Sequence, residues 1–140
     1  MILHCDFEEL GALKEGATAL LGEARGGEAL VAAPPEGREE VQSLIPRLHG
    51  DLAIESLAEQ RQVAKAVTFI VEHLREEMDL SILTAHPADE SAVDAYFKYA
   101  RALAVLNRLV EMGQEMEALI EVVTGGAVSE ESAKSFVFPS

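Results

Sequence analysis

The 140-residue sequence predicts a mostly α, α+β protein: a small N-terminal β/α part, a long antiparallel helical hairpin and a hydrophobic C-terminal tail docked as a strand or extended segment. Three observations carry that expectation. Apolar residues recur every three or four positions through most of residues 55–124. Short apolar runs bounded by glycine and proline fill residues 1–54, and two of the five phenylalanines lie within the last five residues. At this length the three parts form a single domain able to bury its own core.

In chain order, Ile2-Leu3-His4-Cys5 is a short candidate strand. Asp6 with Glu9 three residues later has the form of a capping box, opening a helix through Leu10, Leu13, Ala17, Leu20 and Leu21 that ends across 22–27. Ala29 to Ala33 is a second candidate strand, stopped by Pro34-Pro35. Glu36 to Leu48 is a helix with Val41, Leu44, Ile45 and Leu48 on one face. Pro46 removes a backbone donor and is expected to kink it or end it early. Leu52-Ala53-Ile54 is a third strand.

From Glu55 to Asp79 the positions Val63, Val67, Ile70, Leu74 and Met78 step by four, three, four and four, with Ala66 and Phe69 widening the stripe. A second long helix runs from Pro87 to Val123 with Asp89, Glu90 and Asp94 at its positive end, and Gly125-Gly126 stops it. Its apolar residues surround the cylinder: Val93, Phe97, Ala100 and Ala104; then Leu103, Leu106 and Val110; then Leu109, Met112 and Met116. A helix apolar on more than one face needs cover on more than one face. A second copy of the chain is the simplest cover, giving a homodimeric four-helix arrangement. Phe97, Leu103, Leu106, Val110, Met112 and Met116 are the candidate interface residues, with another protein as the alternative partner.

Charge and composition exclude several classes. Twenty-five acids against eleven Lys and Arg leave a formal charge of −14, which repels nucleic acid and anionic lipid. The acidity is spread through the chain, and no run of about 18 uncharged apolar residues exists to span a membrane. The N-terminal apolar run is too short for a secretory signal. A lone cysteine, Cys5, cannot form an internal disulfide, so a cytoplasmic location is expected. Beside His4 in a strand it points to the opposite face, which makes it a structural thiol. Neither a nucleophile elbow nor a phosphate-binding glycine loop is present.

Two acidic groupings invite a metal. Folding the hairpin brings His73, Glu76, Glu77 and Asp79 toward His86, Asp89 and Glu90, a mixture of nitrogen and oxygen donors suited to zinc, iron or manganese. The Glu-x-x-His spacing of carboxylate-bridged di-iron bundles is missing. Glu36-x-x-Glu39 and Glu76-x-x-Asp79 have the spacing with which acidic helical pyrophosphohydrolases hold magnesium, a spacing that also arises by chance in so acidic a chain. Glu111, Glu115, Glu117 and Glu121 form like-charged pairs near a helix's negative end, with Arg38, Arg47 and Arg61 as internal counter-charges. The expectation is a non-enzymatic, self-associating interaction or scaffold protein with no cofactor. The rival is a small metal-dependent hydrolase using these clustered acids.

Overall fold

The computed structural model describes residues 1–26, 37–84 and 90–139. Strand β1 is Ile2–Leu3, helix α1 Phe7–Gly26, helix α2 Arg38–Leu44, strand β2 Leu52–Ala53, helix α3 Leu57–Thr84, helix α4 Glu90–Thr124 and helix α5 Glu130–Ser135. The fold is therefore mostly helical with a two-stranded antiparallel sheet, in which Ile2 faces Ala53 and Leu3 faces Leu52. The candidate strand 29–33, and the first residues of the helix expected from Glu36, lie outside the described residues.

Helix α1 opens on the expected box. The Glu9 N–H donates to Asp6 Oδ1 at 2.7 Å, and the Asp6 N–H donates back to Glu9 Oε1 at 3.0 Å. The helix runs on through Gly22 and ends at Gly26, within the 22–27 stretch expected to end it. A glycine inside a helix costs only about 1 kcal/mol, which buried Leu20 and Leu21 just before it offset. Helix α2 ends at Leu44, and Ile45–Arg47 form a 3-10 turn around Pro46, as the missing backbone donor requires.

The hairpin is longer on its first arm than periodicity indicated, because α3 runs to Thr84. The extra turns expose Leu80, Ile82 and Leu83, so they do not contribute a buried stripe from which sequence could extend the helix. α4 ends where Gly125 takes φ +72°, its N–H donating to Glu121 O at 2.9 Å. Helices α3 and α4 share the largest contact in the chain, and α1 lies across both. The core joins Leu13 and Ala17 of α1, Val41 and Leu44 of α2, Val67 and Ile70 of α3, and Val105, Leu109, Met116 and Ile120 of α4.

Glycine permits two close approaches to α3, from α1 and from the start of α2. A Cβ on Gly16 would lie 2.7 Å from Ile70 Cγ2, so α1 crosses α3 at its barest point. Gly37, at φ +81°, sits under the Phe69 ring, where a Cβ would lie 2.1 Å from ring carbons. The tail closes the other end: Ser129 and Ser132 cap α5 reciprocally, and buried Phe138 donates its N–H to Glu55 O at 2.7 Å. The Met1 amino group donates to Ile54 O at 2.8 Å and Pro139 O at 3.0 Å, which ties tail and sheet together. No described helix is long and apolar enough to cross a membrane.

Candidate functional site on the outer face of the second hairpin helix

Among the described residues, the acids at the hairpin tip do not gather. His73 is buried, with Nε2 3.2 Å from Glu77 Oε1, while Glu76 and Asp79 are exposed. Glu76, Glu77 and Asp79 point in different directions round the helix, and Glu77, at i+4 from His73, reaches the imidazole. His86 and Asp89 lie outside the described residues, as does Glu36. Among the described residues no three His, Cys, Asp or Glu side chains converge as metal ligands.

The second acidic grouping is partly answered from within. Arg61 of α3 reaches Glu117 at 3.3 Å, whereas Arg47 turns to Glu59 at 2.9 Å and to Ala53 O at 2.8 Å. Glu111 and Glu115 border a surface depression of about 510 Å³ with Ile2, His4 and Arg108.

Glu9, Asp51 and Lys98, all with displaced pKa values, sit in structural pairs. Glu9, almost fully buried, is held below the usual carboxylate range chiefly by Arg108, which donates to both of its oxygens at 2.7 Å. Arg108 also donates to His4 O at 2.8 Å, locking the start of α1 against α4. Asp51 is lowered by His4, whose Nδ1 lies 2.9 Å away, and by the Cys5 N–H at 3.2 Å. Burial pushes the Cys5 thiol up, which suits a structural role rather than a nucleophilic one. Lys98, between Glu15 at 2.8 Å and Asp94 at 3.1 Å, is raised by both.

The sequence-predicted interface residues separate into three groups. Met112 and Met116 are buried inside the chain and belong to the core, since their side of α4 packs inward. Leu103 and Leu106 are half-buried and pack on the core from its edge. Phe97 and Val110 are nearly half exposed, at 47% and 46%. Four further side chains join them: Val93 at 45% and Tyr96 at 54% are exposed, and Ala100 and Ala104 are partly so. The signal for Val93, Ala100 and Ala104 was available in sequence as one side of the cylinder; Tyr96 precedes Phe97 and falls on the flank of that side.

Val93, Phe97, Ala100 and Ala104 thus make a continuous apolar row on α4, directed away from α3. Tyr96 and Phe97 meet edge to face, with ring centroids 5.7 Å apart. Arg101 stands over the Phe97 ring at 5.5 Å and is paired to Glu8 of α1 at 3.1 Å. The row borders a depression of about 650 Å³ lined by Glu90, Ser91, Val93, Asp94 and Phe97. Neither a protein-family model, nor a curated protein, nor a solved structure matches this chain.

Proposed function

We propose that this chain is a self-associating helical interaction protein whose contact surface is the outer face of α4, with a second copy as its partner. The observation that carries the reading is the exposed row Val93, Phe97, Ala100 and Ala104 with Tyr96 beside it. Large aromatic side chains left half in water on a well-packed helix mark contact surfaces, because covering them releases apolar hydration.

Local charge favours a like partner. Residues 90–108 hold two acids, Glu90 and Asp94, against three bases, Lys98, Arg101 and Arg108, in a chain whose formal charge is −14. Two copies that meet along this stretch thus bring together helix surfaces with no net negative charge of their own. The lone Cys5 fits a reducing cytoplasm, its thiol is raised by burial, and the displaced Glu9 and Lys98 belong to pairs that hold α1 against α4, which favours binding over catalysis.

Sedimentation velocity or light scattering at micromolar concentration tests the reading. The expected result is a dimer for the natural chain and a monomer of unchanged helicity for Phe97→Asp, since each copy would have to bury a new carboxylate. A natural chain that sediments as a monomer at about 50 µM would refute it, because a specific contact of this kind has a micromolar or tighter Kd.

A further inference from the structure

Resting on the self-association just proposed, we infer its geometry: two α4 helices pack antiparallel about a two-fold axis, the bulky half of each row seated on the small half of the other. Along the row, Val93 and Phe97 are large, and Ala100 and Ala104, seven residues further on in each case, are small. Parallel pairing would set Phe97 against its own copy and alanine against alanine, leaving a gap beside each clash. Reversal removes both defects. With residue n facing residue 197 − n, Phe97 seats on Ala100 of the second copy and Val93 on Ala104 of the second copy.

Flanking residues fit the same register. Arg101 then lies two residues, about 3 Å along the axis, from Asp94 of the second copy, and both are on the side of the row that faces α1. Each already has one partner in its own chain: Glu8 for Arg101 and Lys98 for Asp94. Each is also partly open to solvent, with side-chain exposures of 37% and 60%, and a guanidinium or carboxylate can take a second ion. On the opposite flank Tyr96 comes level with the half-buried Leu103 of the second copy, again to within two residues. The face is thus complementary to itself in shape and in charge only when reversed.

Cysteine cross-linking reads the register directly. In a Cys5→Ser background, an equimolar mixture of Val93→Cys and Ala104→Cys chains is expected to form a disulfide-linked dimer under mild oxidation, because these positions oppose one another. Neither variant alone should cross-link, since two copies of position 104 are offset by roughly 16 Å along the axis. A dimer of Ala104→Cys chains alone overturns the antiparallel register, as does a mixture that fails to link while sedimenting as a dimer. Charge exchange is an independent check. Arg101→Glu and Asp94→Lys are each expected to weaken dimerisation at least about tenfold, and the double variant to return within about threefold of the natural chain. No recovery in the double variant, with helicity intact, also overturns the register. A natural chain that is monomeric defeats self-association itself, whereas a dimer lost on Phe97→Asp but indifferent to these changes defeats the register alone.

Discussion

Replacing Arg108 by alanine should be among the most damaging single changes to a partly exposed residue in this protein. The substitution removes two hydrogen bonds of 2.7 Å to Glu9 and one of 2.8 Å to His4 O. Glu9 would keep the Asp6 N–H but lose its counter-ion, and its residue is only 9% exposed. Charge-assisted hydrogen bonds contribute about 1.5–3 kcal/mol each before solvent is considered. The Arg108 side chain is 37% exposed, so water already screens part of the attraction and fills part of the space it leaves. A net loss of about 2–3 kcal/mol follows, which for a chain of this length lowers Tm by roughly 6–9 °C. The loss should also depend on pH with a definite sign. The carboxyl of Glu9 is depressed in the folded state, so the pair contributes fully above the ordinary glutamate range and fades as pH falls through the depressed value. Chemical denaturation of the natural chain and the variant, compared at about pH 7 and about pH 3, measures both effects. A cost below about 1 kcal/mol at neutral pH, or an equal cost at both, would refute the assignment of this pair as the lock between α1 and α4.

Two further substitutions probe the close approaches. A Cβ at Gly113 would come within 2.6 Å of Gln60 Nε2, which donates to Leu109 O at 2.7 Å inside the core. Gly113→Ala is therefore expected to destabilise by about 1 kcal/mol, since about 2 kcal/mol for the lost buried bond outweighs a helix-propensity gain of about 1 kcal/mol, and to become stabilising in a Gln60→Ala background. Urea midpoints of the four chains decide it, and a stabilising Gly113→Ala with Gln60 present would show that the amide relocates freely. Gly37→Ala combines a left-handed backbone with contact against the Phe69 ring, so it should cost at least about 2 kcal/mol; a melting temperature within about 2 °C of the natural one would contradict that placement.

Local signals predicted local features well. The capping box at Asp6 and Glu9 needs three residues of spacing and nothing else, and the structure forms it at 2.7 and 3.0 Å. Pro46 ends α2 through its own missing donor, and Gly125 ends α4 by its own conformational freedom. The burial of Val63, Val67, Ile70 and Leu74 follows from a period that needs no knowledge of the partner helix. Boundaries that depend on what lies opposite were harder to read. Helix α3 passes Asp79 by five residues, and those turns carry exposed Leu80, Ile82 and Leu83, so hydrophobic periodicity has no buried stripe there to report.

The same distinction governs the candidate site. Sequence shows that α4 is apolar on several faces, but which face its own chain covers depends on where α1 crosses, and that crossing is set by Gly16 against Ile70 and by the pairs Glu8–Arg101, Glu9–Arg108 and Glu15–Lys98. None of these pairings can be deduced from spacing, since their partners are separated by more than eighty residues. Once they are in place, Met112 and Met116 turn inward and Val93, Tyr96 and Phe97 remain outside. The bases that pin α1 also leave residues 90–108 without net negative charge in an acidic chain. One set of lysine and arginine side chains thus performs two physical tasks: it holds α1 across the hairpin, and it offsets the acids beside the apolar row that α1 leaves uncovered.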